Sequence, residues 1–300
     1  MEVRVKAVVC GSFAADALAL GPHWVYNAKV IDKKFGVVDR LLDPLTSYHK
    51  RKQAGDLPHY GDQMLLLLES VAANSGFNLD PFTNDWRRFM DTYDGYFDQA
   101  TKATLENMIN GWEYPDCGSK SQDLGGAARI APLVAAHHRD LERLVASART
   151  QTALTHNNPA VISSAEFFAR VVHSVLGGMQ PTQAFDAAKK EGADVGLLAD
   201  WLSEGLASKS SDTRQTVADF GQMCEIEAAF PATIHLIAKY EDNYKQAMIA
   251  NVMAGGDSAS RGMLSGMVLG AYHGMAAIPE PWVAGLNCLD RINACLKTLL

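Results

Sequence analysis

Two short stretches place oxygen-bearing side chains where a helix should begin. In "HYGDQMLLLLESVAAN", Asp62 and Gln63 stand immediately before an apolar run. In "MAGGDSASRGMLSGMVLGAYHG", Asp257, Ser258 and Ser260 follow a glycine pair and lead into Gly262, Gly266, Gly270 and Gly274, spaced four apart. Carboxylates and hydroxyls gathered at a helix start could hold a hard divalent cation or a polar substrate. Each stretch also has a plainer reading, because Asp and Ser cap the free N–H groups of a first helical turn. A third stretch, "CGSFAADALALGPHW", sets Asp16 among small and apolar residues, where a carboxylate needs partners. His23 and Trp24 follow a Gly-Pro turn there, so an acid, a histidine and a tryptophan could line a pocket at one helix end. Arg129 in "DLGGAARIAPL" and Thr155-His156 in "LTHNNP" read equally well as packing or capping.

The elements that must position these residues are helical. "NPAVISSAEFFARVVHSVLGG" offers Asn158 as N-cap, Pro159 at the first helical position and Gly177 as the stop, with Ile162, Ala165, Phe168, Ala169, Val172 and Leu176 on one face. "MQPTQAFDAAKKEG" repeats that design, and a further helix starts at Asp80-Pro81. "DLERLVASARTQTALTH" and "QTVADFGQMCEIEAAFPATIHLIAKY" carry helical spacing, the second broken at Pro231. "YKQAMIANVMAGG" predicts a helix ending at Gly255-Gly256, and a new one starts at Asp257 or Ser258. A glycine inside a helix costs about 1 kcal/mol relative to alanine. Four on one ridge therefore imply close approach of a neighbouring helix backbone. The least regular part, 27–58, reads as a long loop or lid over a site, or equally as an ordinary surface excursion, and no domain boundary interrupts the chain. The expectation is an all-α protein, one domain over residues 1–300.

The acidic balance, net charge −7, supplies no basic face for nucleic acid or an anionic membrane. The five cysteines form no metal-binding spacing and fit a reducing, cytoplasmic compartment. The apolar N-terminus is interrupted by Asp16 and reads as a core helix, not a signal peptide.

Taken together, the order of these pieces resembles the ADP-ribosylglycohydrolase family, over roughly residues 7–295. The family's Gly-Asp-Ala-Leu-Gly segment is similar to "AADALAL" around Asp16, and its Tyr-Thr-Asp-Asp-Thr motif to "YGDQM" from Tyr60 to Met64. Its Met-Arg-x-x-Pro-Leu segment resembles "AARIAPL", and its Thr-His segment resembles Thr155-His156. Its Gly-Gly-Asp-Thr-Asp-Thr motif, with the Gly-Ala-Tyr-x-Gly beyond, resembles "GGDSASRGMLSGMVLGAYHG". The resemblance implies an all-helical orthogonal bundle that cleaves the glycosidic bond between ADP-ribose and a modified protein residue, with two Mg²⁺ ions held by the acid motifs. J-type lens crystallins share the fold and imply that members can lose catalysis.

This chain departs from the pattern at Gly61, Gln63, Ser258, Ala259 and Ser260. Four carboxylates balance two divalent ions, whereas Asp62 and Asp257 alone balance one. One weakly held magnesium, or none, is therefore expected, with Asp62, Asp257 and Ser260 as its ligands. Arg261 and His23 are expected to supply positive charge in place of metal. Asp62, Asp257 and Asp16 are the candidate catalytic residues. His23, Trp24, Tyr60, Gln63, Arg129, His156 and Arg261 are the candidate substrate contacts. The substrate would be a small molecule or an ADP-ribosylated protein. The alternatives are a non-catalytic nucleotide- or sugar-binding protein of the same fold, and a crystallin-like structural protein.

Overall fold

The computed structural model describes residues 1–191 and 195–300, and is all-α as the periodicity predicts. Among the described residues there is no strand, only three isolated bridges: Val25 with Gly256, Ser119 with His156, and Asp123 with Glu225. All three tie loops around the acid turns.

Two helices form the centre. Glu2–Leu20 is buried from Ala7 onward, and Ser258–His273 is buried from Ser258 to Ala271. They run antiparallel with their backbones in contact. A Cβ on Gly11 would lie 2.6 Å from the Gly266 carbonyl oxygen, one on Gly266 would lie 2.5 Å from that of Gly11, and one on Gly270 would overlap that of Ala7. Gly262 faces Asn251 and Ala15. The close approach expected of the glycine ridge is therefore met by three glycines. Gly274 is different: it is the helix C-cap, at φ 77°, where a side chain would be strained.

Around this pair pack Ala131–His137, Pro159–Leu176, Ile226–Lys239 and Tyr244–Met253. One apolar cluster, from Val5 to Leu296, joins them. Asn158 caps its helix by accepting from the Ala160 and Val161 N–H groups, and Gly177 ends it. Burying most of such a helix's apolar face is what stabilises it, at about 25 cal/mol per Å² of apolar surface.

Three expectations need correction. Pro231 does not break its helix, which runs unbroken over Ile226–Lys239; the interruption lies before it, after Thr213–Phe220, where Gly221 takes φ 99°. The Asp62 helix spans His59–Ala73, so Asp62 lies inside its first turn instead of capping it. The 27–58 segment is not loop throughout: Asn27 caps a helix, Ala28–Phe35, that buries Ile31. Its remainder, with a 3-10 turn at Ser47–His49, crosses the mouth of the cleft described next.

Candidate functional site

The cleft lies where the C-terminal end of the first helix meets the N-terminal ends of His59–Ala73 and Ser258–His273. The turn after the first helix is locked to the glycine pair. Trp24 N–H donates to Gly256 O at 3.0 Å, and Gly256 N–H donates to Val25 O at 3.0 Å. Gly255 and Gly256 take φ 78° and 69°, and a Cβ on Gly256 would overlap Gln222 O. Only glycine satisfies both conditions there. The turn delivers Asp257, whose N–H donates to Gln222 O at 2.8 Å.

Asp257 is sealed from solvent and caps its helix. Its Oδ1 accepts from Ser260 Oγ at 3.3 Å, and its Oδ2 accepts from Trp24 Nε1 at 3.1 Å and from Tyr60 at 3.0 Å. The Tyr60 hydroxyl also lies 2.7 Å from Asp123 Oδ2. A phenol has one proton to donate, so one carboxyl of this chain must carry the other. Burial, then the charge of Asp257, pushes Asp123 up. Burial alone would raise Asp257 too, but His23, the Trp24 indole and Arg261 more than offset it, and its net shift is downward. The opposite shifts favour the proton on Asp123 and the charge on Asp257.

Asp62 faces the mouth from the other side. Lys52 Nζ donates to its Oδ1 at 2.9 Å and its Oδ2 at 2.6 Å, and the Tyr93 hydroxyl donates to Oδ2 at 2.6 Å. Both members of the ion pair keep some exposure, 19% and 15% of their side chains. Burial raises the Asp62 pKa and Lys52 pulls against it, leaving a net upward shift. Two donors on one carboxylate nevertheless suit its ionised form, which only accepts. Behind it, Asp16 is fully buried, and neither of its oxygens has a hydrogen-bond partner. Its carboxyl fills the space of a missing side chain, since a Cβ on Gly61 would overlap Asp16 Oδ2. Burial, then the nearby Asp62 charge, pushes Asp16 well above the usual carboxylate range. That shift favours its protonated, neutral form.

Several expected contacts point elsewhere. Gln63 Oε1 accepts from Trp86 Nε1 at 2.9 Å and from Arg129 Nη1. Arg129 also donates to Thr155 Oγ1, which lies 2.9 Å from His156 Nδ1. These residues form a buried polar wall behind the Asp62 helix, and Gln63 offers no oxygen to the cleft. Arg261 turns back to its own helix start, donating to Gly255 O at 2.7 Å and Asn251 Oδ1 at 3.1 Å. It supports the glycine turn, and from there its charge acts on Asp257 without a direct contact. Burial drives His23 down to about 4, so it brings no positive charge at neutral pH. The cation that does sit on an acid-motif carboxylate is Lys52, from the segment whose residues gave no readable signal. Sequence reasoning also missed Tyr93, Asp123, His49, His59 and Asp98. The histidines alone left a trace, as "SYHKRK" and "PHYGD" beside the acids.

The residues present do not fit a magnesium pair. An octahedral magnesium site needs several free hard oxygens. Here Asp62 holds an ammonium group, both Asp257 oxygens accept from protein donors, Gln63 faces away, and Ala259 lies in the core.

The sequence model of the ADP-ribosylglycohydrolase family matches residues 1–300. Crystallin J1A of Tripedalia cystophora is 24% identical over 305 residues, covering 94% of this chain and 91% of its own. ADP-ribosyl-[dinitrogen reductase] glycohydrolase of Rhodospirillum rubrum is 29% identical over 170 residues, 54% of this chain and 50% of its own. A solved ADP-ribosylglycohydrolase-related protein complex shares the fold, with TM-score 0.73 and 21% identity over 99% of this chain and 97% of that one.

Proposed function

Because the chain belongs to the ADP-ribosylglycohydrolase family, we propose that it hydrolyses a glycosidic bond of an ADP-ribosyl or related ribosyl substrate without a magnesium pair. The observation that carries this reading is the Lys52 ammonium on both oxygens of Asp62. A fixed cation there favours the ionised carboxylate against the effect of burial and orients it at the mouth of the cleft. Glycosidic cleavage develops positive charge on the sugar, which a facing carboxylate stabilises. Asp62 takes that role and draws the proton from the attacking water. Asp16, a neutral carboxyl packed against Gly61, is the acid held in reserve for the departing group. Tyr60 and Trp24 keep Asp257 in place as a fixed negative charge behind the ribose.

The substrate is a small ribosyl compound or an ADP-ribosylated protein, and the chain acts as one unit. Its five cysteines are free, which suits a cytoplasmic setting. No helix among the described residues is long and apolar enough to cross a membrane.

The test is release of ADP-ribose from ADP-ribosylated arginine and serine peptides, with and without Mg²⁺. Turnover is expected to be indifferent to Mg²⁺ and to fall by about 10²–10⁴-fold in Asp62→Asn. A turnover that requires Mg²⁺ would sink the proposal. A second reading, binding without turnover, is favoured by the complete burial of Asp257. It predicts ADP-ribose binding by calorimetry with no release from any of these peptides.

A further inference from the structure

Three imidazoles lie together beside Asp257 and take no part in the acid turns. His23 comes from the turn after the first helix, His49 from the 3-10 turn at Ser47–His49, and His59 opens the Asp62 helix. Their ring centroids are 5.3, 6.2 and 6.4 Å apart, and one ligating nitrogen of each lies within 4.8 Å of the others. All three are buried, at most 3% exposed. Both ring nitrogens of His23, Nδ1 of His59 and Nε2 of His49 are buried without a hydrogen-bond partner. A buried polar atom left unpaired costs about 1–3 kcal/mol. Four such atoms in one pocket call for a partner that the protein itself does not supply.

We propose that His23, His49 and His59 form a three-imidazole site for a divalent transition ion of the zinc class, closed by His49 from the segment that covers the cleft. Imidazole selects zinc, copper or nickel over magnesium. Zinc–nitrogen bonds of 2.0–2.1 Å place tetrahedral ligands about 3.3 Å apart, so the rings must draw in by about 1.5 Å at most. His49 can make that movement, because it sits on a single short turn. Its Trp24 neighbour, stacked at 5.4 Å and 22°, limits the direction to motion in the ring plane. The charge balance also fits. Asp98 Oδ2 stands 3.2 Å from His59 Nε2, the outer-shell carboxylate that commonly orients a ligating histidine, and leaves Nδ1 free. Asp257 supplies the second negative charge nearby. Burial pushes His23 and His49 down, toward the neutral form that binds metal.

 The shift is largest at His49, which burial drives down to about 2. Three protein ligands leave a fourth position for water or a substrate atom. No ligand is shared with Asp62 or Asp257, so this site stands or falls apart from the hydrolytic reading.

The test uses the full chain, stripped with chelator and dialysed. Calorimetry is expected to show one Zn²⁺ per chain and no binding of Mg²⁺ at the same concentrations. Co²⁺ should give the visible d–d bands of a low-coordinate nitrogen site, with no thiolate-to-metal charge-transfer band. His49→Ala, on the covering 3-10 turn, should weaken Zn²⁺ binding by about a hundredfold or more, since loss of an outer-shell partner alone costs 10–100-fold. His156→Gln, a buried histidine outside the cluster, should leave it unchanged. The proposal is overturned if Zn²⁺ fails to bind, if His49→Ala binds it as tightly as the parent, or if a thiolate band places the metal on cysteine.

Discussion

The two central helices are built in opposite ways at their two ends. Where Ala7–Ala15 meets Gly262–Gly270, the contact is dry and made of main chain. Where Asp16–Trp24 meets Gly255–Asp257, the same two helices diverge around buried carboxyls and imidazoles, several of them without partners. The dry end is fixed by one residue type at one spacing, and nothing larger than hydrogen fits. The polar end depends on side chains from other segments: Lys52 and His49 from the covering segment, Tyr60 and His59 from a third helix, Asp123 from a loop. The difference teaches that the frame and the chemistry are separable. Residues 61, 63 and 259 can depart from the family's acid motifs while the backbone that carries them stays put.

The sharpest way to break this comparison is to place a side chain in the dry end. Gly266→Val would put its Cβ 2.5 Å from Gly11 O and 2.9 Å from Ala15 Cβ. Backbone cannot rotate aside as a side chain can. Overpacking costs about 1–3 kcal/mol and sometimes more, and β-branching adds a smaller helix penalty, so a loss of at least about 3 kcal/mol is expected. Urea unfolding measures it. A variant within about 0.5 kcal/mol of the parent would mean that the helices part easily and that the ridge does not set their distance.

The polar end should respond differently, because the main obstacle there is the far end of one side chain, Asp16, with Leu57 Cβ a lesser one at 2.9 Å from a Cβ on Gly61. Gly61→Thr restores the residue type found in the resembling motif, and its Cβ would overlap Asp16 Oδ2. A loss of about 2 kcal/mol is expected. Adding Asp16→Ala should recover more than half of it, since neighbours that compete for one space are non-additive. If the two losses simply sum in denaturant titrations, Asp16 does not occupy the place of the missing side chain.

The same division explains what could be read from the sequence. The all-α class, the Asn158 and Gly177 boundaries, the glycine ridge and the Asp257 cap are local: spacing and cap chemistry within one turn specify them. The Lys52–Asp62 pair joins residues ten apart across an irregular segment, and Tyr60 meets Asp257 across 197 positions. No periodicity records such a meeting. Arg261 was legible only in part. Its charge does act on Asp257, but one helical turn carries its guanidinium round to Gly255 O and Asn251, which no local pattern records. Pro231 was read as a break because its missing N–H is a local defect, whereas burial of Phe230, Ile234 and Ile237 on either side holds the helix together.

The smallest expected effect sharpens the comparison within the polar half, by separating its cleft from its buried rear wall. His156 is sealed behind the Asp62 helix, and burial, then the Arg129 charge, drives it down to about 3. A histidine with a depressed folded pKa binds fewer protons in the folded chain than in the unfolded one between its two pKa values. Its contribution is therefore intact above the unfolded value near 6.5 and is lost as pH falls from there toward 3. From pH 7 to pH 5 this amounts to at most about 2 kcal/mol. His156→Gln removes the titration while keeping a polar group beside Thr155, so its stability should fall less than that of the parent over that interval. Urea unfolding of both proteins at the two pH values measures the difference. Equal acid losses would shift the pH sensitivity to other groups, and the rear wall would then be as indifferent to protons as the glycine ridge.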